Sequence, residues 1–285
     1  MDYTLFLNKI GMCPEGIAVF NNLQQRTADP VFCKALEDAY RAYDDGDESF
    51  QDFLKTFAAE QNVHIEEANL YLYIHILGRT YDFYQSKGIS DDVFYGTMKS
   101  FAWACLQCFE KTGYYGINQV TYRAWYRRHL NGTIFRLGRL EFEIIGSLYD
   151  FVLDGHQINK GDTCMYVHIP GGPSLDFEEC EAAYDVARAF FKSHFAFDPV
   201  IFYCGSWLLH PWLAEDLPAS SRIVRFMQQF QLADIVQDET VIRNWLFDHS
   251  DAPYDELPIK TSLHKAAVYR LKNGLSIGYA RGYRF

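Results

Sequence analysis

The sequence contains no apolar run approaching the ~20 residues that a membrane-spanning helix requires. Its opening stretch, MDYTLFLNKIG, has neither the basic leader nor the long apolar segment of a secretion signal. A cytoplasmic protein without a membrane partner is the expectation. Basic side chains are in the minority: 26 Lys and Arg against 37 Asp and Glu leave a formal charge of -11. That balance argues against a partner held through its phosphate backbone, so no nucleic acid is expected. The seven cysteines are an odd number without disulfide-framework spacing, and most lie among apolar residues as reduced core thiols do. Cys105 and Cys108 form a lone CxxC with no second pair, and Phe101, Cys105, Cys108 and Phe109 follow helical spacing, which makes them core positions. GxGxxG, the P-loop and HExxH are all missing, which removes the simplest dinucleotide, nucleotide and zinc-hydrolase readings.

What is present is a large core. The 285 residues are 49% apolar and include 23 Phe, 20 Tyr and 5 Trp, enough for one large or two modest folded domains. From Pro14 to about Leu130 the apolar residues recur at helical intervals. Ile17, Phe20 and Leu23 mark one helix, and Phe32, Leu36, Ala39 and Tyr43 a second. Phe50, Phe53, Leu54 and Phe57 mark a third, and Leu70, Ile74, Leu77 and Tyr81 a longer one. Phe94, Met98, Phe101 and Cys105 follow a possible start at Ser90, and Tyr122, Trp125, Tyr126 and Leu130 suggest one more.

At Gly132 the period changes to that of strands. TIFRLGRLEFEII alternates about a turn at Gly138, CMYVHIP is a further strand, and VIFYCGSW a short buried one. Asp176 and Glu179 open a helix carrying Ala183, Val186, Ala187, Phe190 and Phe191. A helical turn is expected around 208–217, a strand over 222–232, helices over 239–247 and 262–272, and a closing strand in LSIGYARGYRF. The expected fold class is α+β: a helical domain over 1–131 packed on a mixed β-sheet domain with flanking helices over 132–285, closely docked because no Pro/Gly/Ser-rich linker separates them. The segment 257–285 holds Lys260, Lys265, Arg270, Lys272, Arg281 and Arg284 and no acid, and reads either as a solvated face or as an anion-facing surface.

The most informative local feature is HIPGGPSLD, 168–176, which joins a buried strand to a capped helix. Two glycines and a helix N-terminus suit a phosphate, whereas Asp176 places a carboxylate in the same spot and Gly-Gly-Pro is also an ordinary turn. His168 has the chemistry of a base near neutral pH. Glu141 and Glu143 project to one side of their strand, and Tyr203, Cys204, Ser206 and His210 gather around a strand end. Cys204 or Ser206 with a histidine would suit a covalent hydrolase, but YCGSW is not a GxSxG elbow.

Three stretches, RLGRLEFE (136–143), VHIPGGPSLD (167–176) and GSWLLHPWLAEDLPASSRIVRF (205–226), resemble a bacterial family of predicted acyltransferases with a helical N-terminal domain and a GNAT-like C-terminal domain. The resemblance covers nearly the whole chain in layout. It implies a GNAT-like sheet with strands 133–138 and 140–149 as a central hairpin, and strand 163–169 splayed from strand 200–205 so that the pantetheine of an acyl-CoA lies between them. The implied activity is transfer of an acyl group from acetyl-CoA or another acyl-CoA to the amine of a small molecule or peptide. Glu141 or His168 would be the base, Tyr203 the acid, Val167 and Ile169 the backbone contacts, and Gly171, Gly172 and Ser174 the cofactor loop. The family's usual Arg/Gln-xxGxG loop is replaced here by HIPGGPSLD. The alternative is a non-catalytic GNAT-like protein that binds a protein or small molecule. The sequence sets no oligomeric state.

Overall fold

A computed structural model describes residues 2–27, 38, 49–171 and 174–285. The expected helix bearing Phe32, Leu36, Ala39 and Tyr43 falls outside the described residues, as do Cys33 and Gly172. The chain divides into two compact units, Met1–Arg136 and Leu137–Phe285.

The first unit contains α1 (Tyr3–Lys9), α2 (Pro14–Arg26), α3 (Ser49–Gln61), α4 (Ile65–Ser86), α5 (Asp91–Thr112) and α6 (Gln119–Leu130). The helix ends follow local chemistry. Asp2 accepts the Leu5 N–H to start α1, Pro14 occupies the first turn of α2, and His64 with Glu67 forms a reciprocal cap on α4. Gly113, at φ 79°, closes α5 in the left-handed conformation that glycine adopts without strain. Helix α4 is buried on almost every side: Leu70, Leu72, Tyr73, Ile74 and Leu77 are fully covered. A helix this apolar serves as the centre of a bundle. Cys105 and Cys108 are likewise buried, and burial pushes both thiols above their ordinary pKa.

A six-stranded sheet has the order β1 (Ile134–Leu137), β2 (Leu140–Gly146), β5 (Thr163–His168), β6 (Phe202–Ser206), β8 (Gly278–Arg284), β7 (Gln231–Gln237), and all its strands but β1 lie wholly in the second unit. Pairing is antiparallel except for β5 with β6. The β1–β2 hairpin lies at the edge of the sheet, not at its centre. A separate hairpin, β3 (Phe151–Leu153) with β4 (His156–Ile158), packs Leu153 and Ile158 against Cys164, Tyr203 and Tyr283. Asp154 and Gly155 turn it with φ 48° and 81°, so the Asp-Gly dipeptide was a readable hairpin signal.

Helix α7 (Phe177–Phe195) covers the other face of the sheet. Tyr184 meets Phe142 and Phe202 edge-on at centroid distances of 5.9 and 5.0 Å, and Phe191 meets Phe142 at 6.4 Å. After β6 come one 3-10 turn (Trp207–Leu209), α8 (Trp212–Asp216) and α9 (Arg222–Met227), then α10 (Glu239–Leu246) and α11 (Ser262–Lys272) around β7. The strand expected over 222–232 is therefore wrong in its first half. Val224, Phe226, Met227 and Phe230 are the buried positions, a helical spacing that outweighs the β-branched Ile223 and Val224 once the core claims them.

Four of the six cations named in the basic C-terminal segment are engaged in ion pairs, and Lys260 and Lys265 are exposed. Arg270 is buried and bonded to Glu215 at 2.5 Å, to Asp216 and to the Ser276 carbonyl. Arg281 pairs with Asp234 at 2.5 Å, Arg284 with Glu181 at 2.8 Å, and Lys272 with Asp255. Their partners come from earlier in the chain, so composition along one segment could not reveal them.

One half-buried group in the first unit links its stability to pH. His75 hydrogen-bonds Tyr3 Oη at 3.2 Å and Gln24 Oε1 at 2.8 Å and lies against Phe20 and Tyr71. Burial lowers its pKa from 6.5 to about 4. The unfolded chain therefore takes up this proton before the folded one does. The stabilisation from a neutral His75 is complete above pH 6.5 and disappears as pH falls towards 4, a change of up to about 3 kcal/mol. Urea unfolding between those limits is expected to show a downward slope that His75→Gln reduces; equal slopes in parent and variant would contradict it.

Candidate active site

The register of the sheet sorts its side chains onto two faces. Phe142 stands opposite Val167 and Met165 beside Phe202, and these residues share the α7 side. Glu141 stands opposite His168 and Glu143 opposite Tyr166. Tyr166 is aligned with Tyr203, and Tyr203 with Tyr283. All six therefore lie on the face away from α7, because side chains alternate along each strand. Tertiary structure thus brings together the three residues expected to do proton transfer, Glu141, His168 and Tyr203.

The parallel pairing of β5 with β6 ends at Tyr166 and Tyr203. Beyond it Val167 and His168 continue in register with β2 alone, and β6 runs on beside β8 through Ser206 and Ala280. The two strands part at this point. Tyr166 Oη donates to the Gly205 carbonyl at 3.0 Å across the opening. A Cβ on Gly205 would lie 3.1 Å from the hydroxyls of both Tyr166 and Tyr203, so this glycine leaves room for two phenols at one spot. The Tyr203 hydroxyl has no hydrogen-bond partner among the described residues. Burial raises its pKa, with Tyr166 adding to the effect and Arg281 opposing it.

Glu143, not among the expected site residues, makes a polar contact with His168: Nε2 lies 2.8 Å from Oε2. The pair is mostly covered, with side-chain exposures of 15% and 11%. The alternation of LEFEI placed Glu143 beside Glu141 on one face, but only the register could show that the diagonal neighbour makes the bond. Glu141 itself is buried, at 3% exposure.

The loop after β5 is braced from the β1–β2 turn. Arg139 donates to the Pro170 carbonyl at 2.9 Å and to the Ser174 carbonyl at 3.1 Å. Gly171 is exposed, and a Cβ there would meet nothing within 4 Å. Ser174 is exposed, Ile169 is half-buried, and the Val167 side chain is buried on the α7 side. Asp176 caps α7 through the N–H groups of Glu178 and Glu179, and hydrogen bonding at Glu178 holds its carboxyl below the ordinary value. Two further cations beside this helix start come from α9. Arg225 pairs with Glu178 at 3.2 Å and lies over Phe177, and Arg222 is exposed and acts on Asp176. Sequence reading missed both, because 222–227 was expected to be a strand.

The residues suited to covalent catalysis are engaged otherwise. Cys204 is fully buried and its thiol is pushed up by that burial, while Ser206 Oγ accepts the Leu208 N–H as a helix cap. His210 is also buried, its Nδ1 accepting the Trp212 N–H. Among the described residues no cluster of ligands suits a metal ion, and no helix is long and apolar enough to cross a membrane.

Comparison with known proteins agrees with this architecture. Residues 1–132 match the N-acyltransferase N-terminal domain and residues 134–284 the GNAT-like C-terminal domain. The chain belongs to the family defined by that GNAT-like C-terminal domain. No curated protein matches the sequence. Among solved structures, an acyltransferase in complex with CoA and 10C-teicoplanin is 25% identical with a TM-score of 0.63, over 77% of this chain and 66% of that one. An acyltransferase in complex with decanoyl-CoA is 26% identical with a TM-score of 0.61, over 75% of this chain and 64% of that one. Both matches span about two thirds of the relative's length. A third, an acyltransferase in complex with decanoyl-CoA and teicoplanin, shares the fold over 99% of this chain and 87% of its own, with 21% identity and a TM-score of 0.70.

Because neither Cys204 nor Ser206 is set up as a nucleophile, incubation with an acyl-CoA is expected to leave the intact mass of the protein unchanged. Cys204→Ala and Ser206→Ala are each expected to retain turnover. A stoichiometric acyl adduct lost in one of these variants would restore the covalent route.

Proposed function

We propose that this protein transfers an acyl group from acyl-CoA directly to the amine of a small-molecule or peptide acceptor. The observation that carries this reading is the parting of β5 and β6 immediately after Tyr166 and Tyr203, with His168 on one strand of the opening and the Tyr203 hydroxyl beside the other. Membership of the GNAT-like family and the complexes of the solved relatives with CoA and with decanoyl-CoA support it.

The acyl-CoA brings the activated thioester, and this chain's residues position it and handle the protons. Backbone groups of Val167 and Ile169 take the pantetheine amides, and an N–H in this stretch meets the developing oxyanion. Gly171 and Ser174 belong to the loop facing the diphosphate, with Arg222 and Arg225 supplying the positive charge that Asp176, Glu178 and Glu179 withhold from the start of α7. His168 or Glu141 removes the proton from the acceptor amine. Tyr203, kept protonated at neutral pH by its raised pKa, gives a proton to the leaving thiolate.

The acceptor enters as an ammonium ion, and the acidic pair Glu141 and Glu143 suits that charge. Acetyl-, octanoyl- and decanoyl-CoA then distinguish a short acyl donor from a long one.

Thermal-shift titration with these acyl-CoAs and free CoA is expected to raise the Tm through mass action. Gly171→Val gives a clean test of the loop, because the fold leaves open space at that Cβ. The variant should fold normally and lose at least about tenfold in CoA affinity, roughly 1.4 kcal/mol; unchanged affinity removes Gly171 from the site. Tm shifts without turnover on any amine would favour the binding-only alternative.

Tyr203→Phe is expected to leave acyl-CoA affinity within about twofold and to lower kcat by about tenfold or more. In the parent no alkaline loss of activity attributable to Tyr203 is expected below pH ~10. A Phe variant with parental kcat would exclude the phenol as the proton donor.

A further inference from the structure

The bond between His168 and Glu143 has a consequence for how the imidazole works. A carboxylate only accepts, so with Glu143 ionised the His168 Nε2, 2.8 Å from its Oε2, is the ring nitrogen that carries a proton. In the neutral ring the lone pair is then on Nδ1. The ring is also held from the side: Tyr166 stacks on it with a centroid distance of 4.3 Å and an interplanar angle of 28°. Tyr166 is in turn tied to β6 through the Gly205 carbonyl at 3.0 Å. One side chain thus fixes the proton, and a second fixes the plane of the ring and links it to the strand across the opening.

We propose that Glu143 is a positioning residue for acyl transfer, holding His168 in the tautomer protonated at Nε2 so that Nδ1 takes the proton of the acceptor amine. This deepens the function proposed above and rests on its reading of His168 as the base. Glu143 makes no contact with the reacting atoms in this scheme. It acts by selecting one tautomer, by favouring the imidazolium that forms as the proton is taken, and by raising the basicity of the ring.

Among the described residues, the charged and titratable groups on this face include Glu141 opposite His168, Glu143, Tyr166, Tyr203, Tyr283 and, two strands away, Arg281 with its partners Asp234 and Tyr279; Arg139 lies at the adjoining turn. Glu141 also favours a protonated His168, so removing Glu143 weakens the effect without abolishing it. The register explains why the two acids differ. Glu141 is the direct cross-strand neighbour, whereas Glu143 is the diagonal one that the His168 side chain reaches along the strand.

The test uses the full chain labelled with 15N-histidine, with His168→Asn to assign the signal. The expected spectrum of the parent shows a protonated Nε2 and an unprotonated Nδ1 on His168, and Glu143→Leu gives a mixture of tautomers. Glu143→Gln, which keeps the shape and removes the charge, is expected to lower kcat by at least about tenfold and to leave the Kd for acyl-CoA within about twofold. Loss of one nearby negative charge should also move the acidic limb of the kcat/KM profile down by about one pH unit. A parental spectrum with the proton on Nδ1 overturns the proposal even if no variant folds, and so does a Glu143→Leu spectrum identical to the parent's. If His168→Ala turns over like the parent, the reading of His168 as base fails first. A pair whose tautomer is confirmed by the spectrum would then be structural only, and the positioning role would fall with it.

Discussion

Burial of one face of the sheet against α7 is the constraint on which the rest of the second unit depends. Phe142, Phe202, Tyr184 and Phe191 form an interlocked aromatic set, and each fully buried ring is worth roughly 1.5–3 kcal/mol. Because strand side chains alternate, fixing this face fixes the other. A slip of one residue would bring Glu141 and Glu143 under the helix and push Phe142 into the site, at a cost of several kcal/mol for each buried unpaired carboxylate. The position of the acids is therefore a by-product of hydrophobic packing, with no dedicated element needed to place them.

The opening between β5 and β6 follows from the same register. Parallel pairing lasts for two residue pairs, after which β6 remains committed to β8 over five aligned positions, Phe202 to Ser206. A strand bound firmly on one side and released on the other leaves backbone groups and a Tyr hydroxyl facing a gap. The Tyr166–Gly205 bond spans that gap and joins the geometry of the opening to the position of His168.

Charge is arranged with comparable economy. The protein is acidic overall, and the described arginines of the C-terminal segment are consumed by internal pairs with Glu181, Asp216 and Asp234. Besides Arg139, which is bonded to carbonyls of the loop after β5, cations near the start of α7 lie on α9, where Arg222 is exposed. An anionic ligand there would thus be met by a short helix far along the chain from the loop that first suggests it.

The described helices from Pro14 to Leu130, the change of period at Gly132, the cap at Asp176 and the strand in CMYVHIP were legible in the sequence, because each depends on a local pattern of apolar spacing or side-chain capping. The Asp154–Gly155 hairpin was not expected from the sequence, although its Asp-Gly turn carries a local signal. Residues 222–227 were not legible, since β-branched Ile223 and Val224 favour a strand locally while burial of Val224, Phe226 and Met227 selects a helix. Glu141, His168 and Tyr203 were recognisable as groups able to move protons. Which of them meet, that Glu143 is the one bonded to His168, and that Arg270, Arg281 and Arg284 are paired inside the fold were decided by tertiary structure alone. These contacts join strands and helices separated by tens of residues, and a hydrogen bond or ion pair depends on distances that strand register sets and that no local spacing encodes.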